Sequence, residues 1–212
     1  MKTEDALMPK TKEQNEIIKS KRRQEIVQTG LKLFATKGYD NVTINDITLT
    51  TGCSHGLFYH YFTSKADLLK VIITDIKSTT DELFNQFIKT NQSPKQFFES
   101  VIRSVFIELN NPRNLQFAYR IHIWFTLHLQ KTAPVMKKQK GGALYETPYD
   151  FILQCIEKGQ LAGEFKNDHP ATEYTIIGFS VLQSLVTNRI NMNFRRFKVP
   201  SPETFIGIFV KL

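Results

Sequence analysis

Cysteine is scarce in this sequence: Cys53 and Cys155 are the only two among 212 residues, and neither has metal-ligand spacing around it. That excludes a disulfide-stapled secreted module and a structural zinc site, and predicts two free, buried thiols in a reducing compartment, with a redox pair as the alternative. No apolar run approaches the roughly 20 residues of a membrane span. Met1 to Asn15 is polar and lacks the apolar core of a signal peptide, which predicts a cytoplasmic protein with no membrane partner. There is no glycine-rich phosphate loop, nucleophile elbow or paired metal motif, so no catalytic residue, no metal ligand and no cofactor is expected. Alternating strand patterns and internal repeats are absent as well.

What remains is helical material. Hydrophobic residues make up 41% of the chain and phenylalanine alone supplies 17 positions, enough for the interior of one large or two small all-α domains. The net charge of +8 and the pI near 9.4 favour an anionic partner. The excess is spread out, with +3 in residues 1–70 and +5 in the rest, so local clusters carry more meaning than the total. The most relevant is Lys19-Ser-Lys-Arg-Arg23, which reads equally as a phosphate-contacting patch or a solvated helix face.

Taken in order, residues up to about Lys12 read as a loose tail. Glu13 to Lys37 then carries Ile26, Val27, Gly30, Leu31 and Phe34 at helical spacing, and Gly38 stops it. Ser64 caps a long helix from Lys65 to about Thr90, with Leu68, Leu69, Ile72, Ile73, Ile76, Leu83, Phe84 and Phe87 inward. Pro94 opens the next helix, to Leu109, and Arg113 to Lys131 forms one that is apolar nearly all round and therefore central. Lys137 to Gly142 reads as a mobile basic loop, and a helix is expected from about Ala143 to Lys158 with Phe151, Ile152, Cys155 and Ile156. Two late helices, 171–191 and 204–212, have more apolar surface than one domain needs, which predicts helix-on-helix dimerisation.

The stretch that organises the rest runs from Thr43 to Lys65. Thr43 is placed as an N-cap with Asp46 three residues on, Ile44 and Ile47 form an apolar face, and Gly52 provides the positive φ of a sharp turn. Ser54 caps a second short helix, in which Phe58 and Phe62 face inward while His55, Gly56, Tyr59 and His60 fall on the outer surface. This spacing predicts a helix-turn-helix. The spelling Ser54-His-Gly-Leu-Phe-Tyr-His-Tyr-Phe62, followed by Ser64-Lys65 and Asp67-Leu68-Leu69 and preceded by Gly38-Tyr39, resembles the signature of the TetR family of bacterial transcriptional repressors over about Ile26 to Leu69. Gly30, Thr48 and Thr51 stand where that family usually has alanine, and Cys53 where it usually has valine. Gly-Gln-Leu-Ala-Gly-Glu-Phe, from Gly159, resembles a phrase of the family's second domain.

The resemblance implies a helix-turn-helix domain, 13–68, and a larger helical effector-binding and dimerisation domain, 69–212. It also implies a homodimer built from the two late helices of each chain, a double-stranded operator and a small-molecule effector. A recognition helix puts its first residues deepest in the major groove, so His55 is the candidate for a base contact, with Gly56 letting the backbone approach. Ser54, Tyr59 and His60 complete the candidate DNA face. Thr43 and Lys65 sit at helix N-termini, where N–H groups and the helix dipole favour phosphate. For an effector, the polar groups embedded in apolar helices suggest a largely apolar pocket lined by Phe106, His122, Trp124, Phe125, Cys155 and Tyr174; taken singly, each reads first as plain core. The rival function is a helical small-molecule binding or scaffold protein whose helix-turn-helix is only structural.

Overall fold

The computed structural model describes residues 12–89, 92–129, 148–192 and 198–211. Among these run helices α1 (Lys12–Lys37), α2 (Ile44–Thr51), α3 (His55–Tyr61), α4 (Lys65–Lys89), α5 (Pro94–Asn110), α6 (Leu115–Leu129), α7 (Pro148–Leu161), α8 (Ala171–Asn191) and α9 (Pro202–Phe209). The all-α expectation holds; the one departure among the described residues is an isolated antiparallel bridge between Phe165 and Val210. The tail before Lys12, the loop at 137–142, the expected helix start at Ala143 and the side chains of Leu83, Phe84, Phe87 and Phe151 lie outside the described residues. No described helix is long and apolar enough to cross a membrane.

Local signals set the helix starts. Ser93 accepts from the Gln96 N–H while the Gln96 side chain accepts from the Ser93 N–H, and Pro94, which has no N–H to lose, begins α5. Ser201 and Pro202 open α9 in a similar way. Tertiary packing then sorts the apolar faces. One cluster joins Ile26, Leu31 and Phe34 of α1 to Ile47, Phe58, Phe62, Leu68, Leu69, Ile72 and Ile76, and also takes in Tyr119 and Ile123 of α6. A division after residue 68 therefore falls within α4, and the first cluster continues beyond it into the second helical unit. A second cluster gathers Phe97, Phe98, Ile102 and Phe106 with Cys155, Ile156, Phe165, Tyr174, Phe205 and Phe209. A third joins Leu109, Ala118, Phe125 and Val186.

The residues that depart from the family pattern have structural reasons. A Cβ on Gly30 would lie 2.6 Å from Leu68 Cδ2, so glycine lets α4 close on α1. The hydroxyls of Thr48 and Thr51 donate to the carbonyls of Asn45 and Ile47, at 3.1 and 2.7 Å, within their own helix. Cys53 is only half-buried, less enclosed than expected, whereas Cys155 is buried, its thiol 3.5 Å from the Pro94 carbonyl and pushed up to about 12 chiefly by desolvation.

Candidate nucleic-acid interface

The start of α2 is fixed by reciprocal bonds. The Thr43 N–H and hydroxyl both donate to Asp46 Oδ2, at 2.8 and 2.6 Å, and the Asp46 N–H donates to Thr43 Oγ1 at 3.1 Å. These bonds, the side-chain one foremost, hold the Asp46 carboxyl below its ordinary range. Gly52 ends α2 at φ 70°, in the left-handed region, and its N–H donates to the helix-terminal carbonyls. Ser54 Oγ then accepts from the Leu57 N–H at 3.1 Å to begin α3.

The resulting helix is split by face. Phe58 and Phe62 are buried and pack ring on ring at 5.7 Å, while Ser54, His55, Gly56, Tyr59 and His60 are exposed. The structure thus brings the expected contact residues onto one open surface, with Thr43 exposed at the start of the neighbouring helix. A Cβ on Gly56 would meet nothing nearer than Ser54 Oγ at 3.9 Å, so no packing within the chain requires glycine there. Asn45 joins this face unforeseen: its Oδ1 lies 3.3 Å from His55 Nε2, so α2 fixes the imidazole by a contact that helix periodicity does not encode.

Lys65 is placed differently from a free phosphate ligand. Its Nζ donates to the carbonyls of Tyr39 and Val42, each at 2.8 Å, and lies 4.2 Å from the centre of the Tyr39 ring. Two of its three N–H bonds thus hold the loop that leads into Thr43. The basic cluster on α1 is also engaged. Lys19 pairs with Glu16, Arg22 pairs with Glu25, and Arg23 lies over the Phe62 ring at 5.2 Å. Arg23 therefore sits against the end of α3.

The candidate effector residues are not brought to one place. Phe106, Cys155 and Tyr174 belong to the second cluster, where Phe106 stacks with Phe205 at 5.6 Å and the Tyr174 hydroxyl donates to Asp168 Oδ1 at 2.6 Å. Phe125 anchors the third cluster and Trp124 packs against both the first and third. Phe179 links them, its ring 5.8 Å from Trp124, 5.4 Å from Phe125 and 5.3 Å from Tyr149. The spacing Thr175, Phe179, Leu182 and Val186 was the available signal for that residue.

His122 is half-buried with Nδ1 lacking any hydrogen-bond partner, and burial pushes its pKa down from the ordinary 6.5. Because the folded value lies below the unfolded one, the stability from the neutral ring is present above pH about 6.5 and is lost as pH falls through the folded value. His122→Gln is expected to flatten the fall of the melting temperature between roughly pH 7 and pH 5. An unchanged pH profile would remove His122 as its source.

Together these features define a two-part helical protein with an N-terminal helix-turn-helix. Residues 26–72, which span the helix-turn-helix, match the family described as bacterial regulatory proteins, tetR family. The chain is 30% identical over 73 residues to the HTH-type transcriptional repressor KstR2 of Mycolicibacterium smegmatis, covering 34% of this chain and 36% of that protein. The alignments to the first curated relatives thus span about a third of their length or less. The ketosteroid regulator KstR2 of Mycobacterium tuberculosis superposes with a TM-score of 0.63 at 13% identity, over 90% of this chain and 96% of that one. The structure of AibR in complex with isovaleryl coenzyme A and operator DNA superposes with a TM-score of 0.60 at 15% identity, over 88% and 94%. At such identities the likeness is one of fold.

Proposed function

We propose that the protein is a transcriptional repressor that binds a palindromic operator as a homodimer and is released by a small, largely apolar effector. The observation that carries this reading is the open face of α3: His55, Gly56, Tyr59 and His60 point to solvent from a helix whose other face is locked by Phe58 and Phe62. Gly56 serves no packing need of the chain, which fits a position kept small for an outside partner. Ser54 and Thr43 present helix N-termini to phosphate beside that face. A dimer is supported by the outer stripe of α8, where Ile177, 47% exposed, lies in line with Ser180 and Ser184, small enough for close helix approach. Two-fold symmetry would set the two α3 helices about 34–36 Å apart, or a multiple, to match the half-sites. The neighbour solved with operator DNA and an acyl-coenzyme A has this fold, which supports a DNA partner and an effector here.

Salt-dependent gel shifts on the DNA upstream of the protein's own coding sequence test the reading. A specific, salt-sensitive complex is expected, and no preference over unrelated DNA would leave the helix-turn-helix a structural element. His55→Ala is expected to cost on the order of 1–3 kcal/mol at one operator position and to leave nonspecific binding nearly intact. Lys65→Ala is expected to weaken binding to every sequence and to make the salt dependence shallower by roughly one unit of slope. The same weakening at unchanged slope would assign Lys65 to holding the Tyr39–Val42 loop alone.

A further inference from the structure

A cleft of about 420 Å³, counted to its open mouth, lies where the helix-turn-helix unit meets the rest of the chain. Gln24, Val27, Gln28 and Leu31 of α1 form one wall, Ile72, Asp75 and Ile76 of α4 another, and Gln116 and Arg120 of α6 the third. Leu31, Ile72 and Ile76 are buried and, with Val27, make an apolar floor. The polar groups stand above it in a definite order. Arg120 Nη2 donates to Asp75 Oδ2 at 2.5 Å, an ion pair that spans from α6 to α4. Gln116, one helical turn before Arg120, completes the α6 wall.

We propose that this cleft binds an aliphatic α-amino acid. The carboxylate takes N–H groups of the Arg120 guanidinium, which has five donors in a planar fork. The ammonium lies against the Asp75 carboxylate, and the aliphatic side chain rests on Val27, Leu31, Ile72 and Ile76. The charges decide the class. A plain carboxylate would also face Asp75, and a plain amine would also face Arg120; a zwitterion satisfies both. Bound there, the ligand intercepts the Arg120–Asp75 pair and wedges α6 away from α1 and α4. A consequent change in operator affinity rests on the DNA-binding reading; the binding itself does not.

The experiment uses the full chain without DNA. L-leucine is titrated by calorimetry and by the fluorescence of Trp124, the single tryptophan, which lies on α6 one turn from Arg120. The comparison ligands are 4-methylpentanoate, which keeps the carboxylate, and 3-methylbutylamine, which keeps only the amine. Saturable leucine binding is expected, with each half-ligand at least about tenfold weaker. Arg120→Gln and Asp75→Asn are each expected to weaken leucine by a similar factor, whereas Arg103→Gln, at the distant α5–α9 ion pair with Glu203, leaves it unchanged. The proposal is overturned by no saturable signal up to about 10 mM leucine, by a half-ligand binding as tightly as leucine, or by affinity that is indifferent to Arg120 and Asp75. A positive result with no effect on operator binding would keep the site and reject only its regulatory consequence.

Discussion

Gly159→Ala is expected to destabilise the protein by about 3 kcal/mol, despite the better helix propensity of alanine. A Cβ at that position would lie 1.7 Å from Phe165 Cδ2 and 2.2 Å from Cε2, far inside van der Waals contact. The ring has no room to retreat. Phe165 is fully buried and meets Phe98 edge-on at 5.3 Å, and its backbone N–H is tied to the Gly159 carbonyl at 3.1 Å. Its strand-like bridge to Val210 fixes it from the other side. Relief would require displacing the end of α7 and the last described residues together. Urea unfolding checks the value, and a loss below about 1 kcal/mol would mean that the turn after α7 yields easily.

The second large effect is expected at Arg189, which is 4% exposed in α8. Its Nε donates to the Leu109 carbonyl at 2.9 Å and an Nη donates to the Asn111 carbonyl at 3.1 Å. A cation from α8 thus satisfies the C-terminal end of α5, where the helix dipole is negative and carbonyls lack intrahelical partners. Arg189→Met keeps most of the volume but leaves the buried Leu109 carbonyl without this donor, so a loss of roughly 2–4 kcal/mol is expected, partly offset by relief of charge burial. Arg189→Lys is expected to recover part of it, because an ammonium reaches one carbonyl more readily than two. If Met and Lys variants melt with the wild type, the arginine does not cap α5.

The parts of the fold that the sequence declared are those whose cause is local. Thr43 with Asp46, Gly52 at its turn, Ser54 as a cap and the four-residue spacing of Phe58 and Phe62 all lie within hydrogen-bond or helical reach of one another. The missed features join distant positions. Lys65 reaches carbonyls 26 and 23 residues earlier, and Arg189 reaches one 80 residues earlier, so neither acceptor could be named from spacing. The aromatic inventory divided for the same reason. Periodicity assigns Phe106, Phe125 and Tyr174 to inward faces but not to a common neighbour, and the helices carry Phe106 and Tyr174 into one cluster and Phe125 into another. Tyr119 and Ile123 likewise read as part of a central helix, while their partners across α1 and α4 are a matter of tertiary packing.

The grip of Lys65 on Tyr39 and Val42 has a mechanical consequence. The first residue of α4 holds both ends of the short segment that delivers the chain to Thr43, while Leu68 closes on Gly30 a turn later. A rotation of α4 therefore carries the beginning of α2 with it and cannot leave α3 behind. The helix-turn-helix unit is thus tied to α4 as one block: a tilt of that helix would re-aim the exposed face of α3 without reshaping it.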